Sequence, residues 1–212
     1  MNRRARGAAG RVGTPALPPH APGMRIGLFG GSFNPAHAGH RLATLTAMKR
    51  LRLDRVWWLV TPGNPLKDNA KLPPVGERVA AAQAVARHPR IVATGFEDAL
   101  GARFTHDTIA HLARRATGVA FVWIMGADSL ETFHMWERWR AIAATVPIAV
   151  VDRPGATLSA IRARAAARMA GRRVPEAAAA ELAGSPPPAW TFLHGPRSPL
   201  SSTALRGARH DS

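Results

Sequence analysis

Gly30-Gly31-Ser32-Phe33-Asn34-Pro35-Ala36-His37-Ala38-Gly39-His40 lies between an apolar run, Met24–Gly30, and a segment with apolar residues at Leu42, Leu45, Met48 and Leu51. An apolar run ending in glycines reads as a buried strand, and apolar residues spaced by three read as a helix face. The loop is therefore a strand-to-helix turn. Glycines there permit unusual backbone angles and close approach of a ligand. The helix start offers unpaired N–H groups and the positive end of a dipole, a natural anion site. His37 and His40 share one side of the first helical turn, so both imidazoles are placed to face one phosphate chain. The same pair would also suit a surface or capping role. Half of a metal site is disfavoured, since neither Cys nor a nearby acid accompanies it. Neither the Walker A pattern nor G-x-G-x-x-G fits the loop.

The alternation of strand and helix continues along the chain. Further strands are expected at Val56–Thr61, Ile91–Thr94, Val119–Met125, Val146–Val151 and Trp190–His194. Helices are expected at Gly39–Leu53, Glu77–Arg87, Thr105–Arg115, Ser129–Ala143, Ala156–Gly171 and Thr203–Arg209. Pro65–Pro74 and the proline-rich Ala183–Ala189 read as loops. Near-continuous apolar strands separated by helices predict an α/β fold, a Rossmann-like open parallel sheet with helices on both faces. In such a sheet ligands bind beyond the carboxyl ends of the strands, where the strand order reverses.

Cysteine is absent from the 212 residues, which excludes disulfides, thiolate metal sites, iron–sulfur clusters and Cys nucleophiles. No apolar run approaches the ~18 residues of a membrane helix. The 29 Lys+Arg against 13 Asp+Glu give a formal net charge of +16, and only Lys49, Lys67 and Lys71 are lysines. Such a charge is either a solvated basic surface or an attraction for polyanions, and charge alone does not choose between them. Residues 1–23 carry Arg3, Arg4, Arg6 and Arg11, no acid and almost no bulky apolar residue. That composition cannot bury enough surface to offset its ordering entropy, and it lacks the apolar core of a secretory signal. The expectation is a disordered basic leader or a misassigned start over 1–23, one domain over 24–212, and a cytoplasmic setting.

Several segments, in order, carry a resemblance. Gly31-Ser32-Phe33-Asn34-Pro35-Ala36-His37-Ala38-Gly39-His40 resembles the signature of the HxGH nucleotidyltransferase superfamily. More narrowly, the chain is similar to bacterial nicotinate-nucleotide (nicotinic acid mononucleotide) adenylyltransferases. Asn64-Pro65-Leu66-Lys67 resembles their Pro-x-Lys loop, with Leu66 where His is common. Phe104-Thr105-His106-Asp107-Thr108-Ile109 resembles their aromatic-Thr-x-Asp-Thr-Leu element. Gly126-Ala127-Asp128-Ser129-Leu130 with Phe133 and Trp136, then Arg153-Pro154-Gly155, and Leu200-Ser201-Ser202-Thr203-Ala204-Leu205-Arg206 complete the set. Asn34 stands where Asp is frequent. Residues 1–23 are not covered, and Arg172–Ala189 has no family element.

The resemblance implies adenylyl transfer from ATP to nicotinate mononucleotide, giving nicotinate adenine dinucleotide and pyrophosphate, a step of NAD biosynthesis. Transfer of this kind needs positioning and charge neutralisation more than a protein nucleophile. It implies that His37 and His40 hydrogen-bond the ATP phosphates and stabilise developing charge. Gly30, Gly31, Ser32 and Phe33 would line the same nucleotide site. Lys67 would supply a point charge, with Asn64 on the mononucleotide side. Ser202 and Thr203 would start the last helix, with Arg206 one turn in, all against the triphosphate. Asp128, after Gly126, would hold the adenosine ribose, and Arg153 would approach the nucleotide. Trp136 would stack on the nicotinate ring and Thr105 would hydrogen-bond near its carboxylate, while Trp139 reads as core. Mg²⁺ would be held by phosphates and water rather than by a protein cage. No protein metal site, no specific nucleic acid and no membrane are expected as partners, and a homo-oligomer is left open.

Two rivals share the fold and act on nicotinamide mononucleotide or pantetheine phosphate. The second usually has Thr at the first His position, and Thr105–Ile109 and Phe133–Trp136 speak against it. A basic nucleic-acid-binding module would rest on Arg162, Arg164, Arg168, Arg172 and Arg173. Those positions spread around a helix and lack interleaved aromatics.

Overall fold

The computed structural model describes residues 15–63 and 69–195. Six strands form one sheet: β1 Arg25–Gly31, β2 Arg55–Val60, β3 Ile91–Thr94, β4 Ala120–Gly126, β5 Ile148–Val151 and β6 Trp190–Leu193. The order is β3-β2-β1-β4-β5-β6, and every neighbouring pair is parallel. The order reverses between β1 and β4, so the carboxyl ends of these two strands define the crevice. The helices that matter for it are α1 Ala38–Arg50, α2 Val75–Ala86, α3 Phe96–Leu100, α4 Thr105–Arg115, α5 Ala127–Thr132 and α6 Trp139–Thr145.

Consecutive strand side chains point to opposite faces, so Trp57 and Trp58 enter different cores. Trp57 joins Leu28, Trp123, Phe133 and Phe192 on one face, and Trp58 joins Phe29, Phe33, Val122 and Ile124 on the other. Both faces are covered, as a parallel sheet requires. The buried stripe of α1 runs through His40, Ala43, Thr44, Ala47 and Met48, with Leu51 fully buried beyond it. It is thus rotated from the expected one: Leu42 is half-exposed. Small residues face the sheet because α1 lies close upon it, and Thr44 accepts a hydrogen bond from Trp58 Nε1 at 2.8 Å.

Several segments depart from the sequence expectation, α3 Phe96–Leu100 among them, since no element was expected there. Ser129–Ala143 is not one helix: α5 passes into a 3₁₀ turn at Phe133–Met135, Arg138 takes φ 49°, and α6 starts at Trp139. Phe133 packs edge-on against both Trp136 and Trp139, so the apolar period is satisfied by a broken path. Ala156–Gly171 divides into α7 Thr157–Ile161, α8 Arg164–Arg168 and a 3₁₀ turn at Ala170–Arg172. The break falls at Ala163, whose ψ is 148°; alanine and arginine suit a helix anywhere, so no residue there marks it. Glu176–Gly184, where no element was expected, forms 3₁₀ turns that bury Ala179, Leu182 and Ala183. The final helix expected at Thr203–Arg209 lies outside the described residues.

The described part of the expected leader, residues 15–23, packs on the domain. Pro18 is buried and Leu17 reaches the core. His20 sits edge-on to Trp57 at 5.8 Å, and Gly23 N–H donates to the Gly118 carbonyl at 2.8 Å. Among the described residues no helix is long and apolar enough to cross a membrane.

Candidate active site at the strand switch point

β1 delivers its loop to the crevice through a backbone held from several sides. A Cβ on Gly30 would stand 2.6 Å from Trp123 Cη2, so only glycine lets the indole pass there. Phe33 takes φ 47°, a left-handed conformation costly for a bulky residue. It is held there by its ring, which stacks on Trp58 at 5.0 Å and lies 4.8 Å from His40. The Phe33 side chain is therefore core, and only its backbone is left to meet a ligand.

The two histidines close this loop onto α1. His37 is the N-cap, and its Nδ1 accepts the Gly39 N–H at 3.1 Å. His40 Nδ1 accepts the His37 N–H at 3.2 Å. Both rings are thereby used as caps, a role usually taken by Ser, Thr, Asp or Asn. Since each Nδ1 is an acceptor, each neutral ring carries its proton on Nε2. Burial pushes the His37 pKa down to about 4, helped by the positive charge of Arg153. Burial pushes His40 down to about 3, with His37 and Arg153 acting in the same direction. Both rings are neutral Nε2–H donors at neutral pH. His37 Nε2 is buried without a hydrogen-bond partner among the described residues. The ring centroids are 3.9 Å apart, so the two rings form one surface.

Across the crevice, β4 ends at Gly126, where a Cβ would collide with Asp128 Oδ1 and stand 2.9 Å from Arg153 Nε. The absent side chain is the space in which those two groups meet, 3.5 Å apart. Asp128 is largely exposed, and Arg153 is four-fifths covered beside it. His37, His40, Gly126, Asp128 and Arg153 are therefore gathered at the ends of β1, β4 and β5, on sequence segments far apart. Trp136 is half-buried, edge-on to Trp123 at 6.2 Å and to Phe133 at 5.4 Å. Through Trp123 it forms the aromatic layer next to Gly30. Thr105 opens α4, half-exposed after the extended Phe104. Trp139 packs partly buried on the same core, as expected of it. Asn64, Lys67, Ser202, Thr203 and Arg206 lie outside the described residues.

Arg78 was not singled out by its sequence, yet it borders the site. It is 3 % exposed and donates to the carbonyls of Pro73, Ser32 and Thr61, each at 2.8 Å. Its signal was present: Arg78 heads the buried stripe Arg78, Ala82, Ala86 of α2, and an arginine on an alanine stripe must find acceptors inside.

A switch-point crevice walled by a glycine loop and a helix-capping histidine pair is the layout of a nucleotidyltransferase, and the family described as cytidylyltransferase-like matches residues 28–208. A protein of Methylorubrum extorquens named "Probable nicotinate-nucleotide adenylyltransferase" is 64 % identical over 86 % of this chain and 99 % of its own. One of the same name from Rhizobium meliloti is 56 % identical over 88 % of this chain and 99 % of its own. The chain belongs to this family, the nicotinate-nucleotide adenylyltransferases. The fold is also that of Plasmodium falciparum nicotinic acid mononucleotide adenylyltransferase complexed with NaAD. That likeness has a TM-score of 0.64 at 14 % identity, covering 87 % of this chain and 83 % of that one.

Proposed function

We propose that the protein transfers the adenylyl group of ATP to nicotinate mononucleotide, releasing pyrophosphate. A phosphate oxygen of the mononucleotide attacks the α-phosphorus. The bond to the bridging oxygen breaks, and pyrophosphate leaves with the electron pair. The observation that carries the reading is the capped histidine pair, two neutral N–H donors fixed at a helix start. Charge accumulates on the phosphate oxygens during transfer, and preorganised donors that need no rearrangement stabilise it most. Neutral rings also avoid the loss of a proton to the leaving pyrophosphate.

Asp128 is exposed and beside Arg153, which suits hydroxyls of a ribose rather than another anion. Trp136 offers its face to the pyridine ring, and Thr105 a hydroxyl near the ring carboxylate. Lys67, Ser202, Thr203 and Arg206 complete the phosphate-binding set in this reading, with Asn64 toward the mononucleotide. Among the described residues no group of three or more His, Asp or Glu could hold a metal ion. In this reading Mg²⁺ would enter with ATP, held by phosphate oxygens and water, and would screen the phosphate charge. The reaction would run in the cytoplasm.

Pyrophosphate release with ATP and Mg²⁺ tests the reading, comparing nicotinate mononucleotide, nicotinamide mononucleotide and phosphopantetheine. Preference for the nicotinate form is expected. Preference for the amide would move the reading to the corresponding amide reaction, and release with phosphopantetheine alone would overturn the acceptor assignment.

A further inference from the structure

We propose that Arg78 is a positioning residue that locks the loop after β1 to the start of the loop after β2, so that the loop presenting His37 and His40 is held in one fixed frame. Its Nη1 donates to Ser32 O in the first loop and to Thr61 O in the second, while Nη2 reaches Pro62 O at 3.4 Å and Nε holds Pro73 O before α2. Thr61 N–H also donates to Gly31 O at 3.0 Å, so the loops are joined on two sides. Ser32 belongs to the loop that presents His37 and His40.

A guanidinium spends its donors on four carbonyls here. Among the described residues no carboxylate lies in ion-pair range of it. Burial lowers the Arg78 pKa, offset in part by the more distant Asp98, and the ordinary guanidinium value is high enough that the group stays charged. Carbonyl dipoles alone hold a buried cation poorly. The cation lies behind the Ser32 carbonyl of the loop that presents the two histidines. Lysine cannot replace the fork, because one ammonium on a flexible stem does not span acceptors on both loops and at Pro73.

The inference rests on the adenylyl-transfer reading for its kinetic arm only. Arg78→Lys keeps the charge and most of the volume. It should lower kcat by about 10-fold or more, as a small misplacement of reacting groups does, with KM for each substrate changed far less. Arg78→Ala should lower kcat further, and guanidinium at low millimolar concentration should restore part of it, which a merely destabilised protein would not allow. Amide hydrogen exchange supplies the arm that is independent of activity. In Arg78→Lys the amide of Thr61 should exchange about tenfold faster, together with those of the loop after β1. Wild-type kcat in Arg78→Lys, or unchanged exchange at Thr61, overturns the positioning role. A wild-type protein that releases no pyrophosphate overturns the adenylyl-transfer reading instead, and exchange still decides Arg78.

Discussion

The two walls of the crevice are built by different physics. The wall at β1 and α1 is a hydrogen-bonded frame: His37 and His40 cap a helix, and Arg78 ties the backbone from behind. The wall at β4 and beyond is an aromatic stack, Trp123 against Trp136 against Phe133, joined by edge contacts. Directional bonds fix atoms to fractions of an ångström and suit a group that must meet developing charge. Edge-to-face packing fills a surface and tolerates small shifts, which suits a ring that is bound and not transformed. The first wall should therefore fail in rate and the second in affinity.

The sharpest test of that division is His40→Ala. It removes an Nε2–H donor and the cap on the His37 amide together, and turnover should fall by at least about 100-fold. Pyrophosphate release at saturating substrates measures it, and near-normal turnover would take His40 out of the mechanism. Gly126→Ala comes next. The new Cβ meets Asp128 Oδ1 and Arg153 Nε, and overpacking of about 1.4–2 kcal/mol should raise KM for ATP roughly 10- to 30-fold. Trp136→Ala should cost ~1 kcal/mol of ring contact, so KM for the mononucleotide rises about 5-fold while kcat stays within twofold. A kcat loss as large as that of His40→Ala would erase the distinction between the walls.

Protonation gives a quieter test. The folded-state pKa values of His37 and His40, about 4 and about 3, lie below the ordinary 6.5. The folded form thus binds fewer protons than the unfolded chain across that window. The stability these rings contribute is complete above pH 6.5 and is lost as pH falls toward 4 and 3. In kcat/KM measured from pH 8 downward these rings should contribute no inflection near 6.5, and their contribution should decline only near pH 4. Glu97 runs the other way. Its carboxyl is buried, burial raises its pKa from 4.5 to about 7, and it accepts from Thr108 Oγ1 at 2.6 Å. Its destabilising effect appears as pH rises through that range. Glu97→Gln should accordingly raise the thermal midpoint at pH 8.5 and leave it nearly unchanged at pH 4. Equal shifts at both pH values would show that ionisation of Glu97 plays no part.

What could be read from the residues alone followed from how local the cause was. β3 and α4 fall at the expected boundaries, and the other strands differ by a residue or two, because buried parallel strands are apolar throughout and their ends carry Gly or Pro. The histidine pair was legible because helix geometry itself brings residues three apart together. The resemblance put Asp128 and Arg153 each at the nucleotide, but not beside one another; two side chains 25 positions apart meet only after β5 is in place. The break at Ala163 was illegible: neighbouring Ala160, Ala165 and Ala166 are all buried, and alanine satisfies a straight or a bent path equally. The packing of residues 15–23 is not legible in the segment itself because its partners, Trp57 and Gly118, lie far along the chain.

The paired caps have a consequence for inorganic chemistry. Neutral histidines three or four apart on a helix can chelate zinc, nickel or copper through a ring lone pair. Here each Nδ1 lone pair is engaged by a backbone N–H and each Nε2 carries hydrogen, so neither ring has an electron pair to offer. A transition metal must first undo the helix cap to bind, and a pair that looks from its spacing like a chelator is thereby guarded against poisoning by the ions that bind such pairs best.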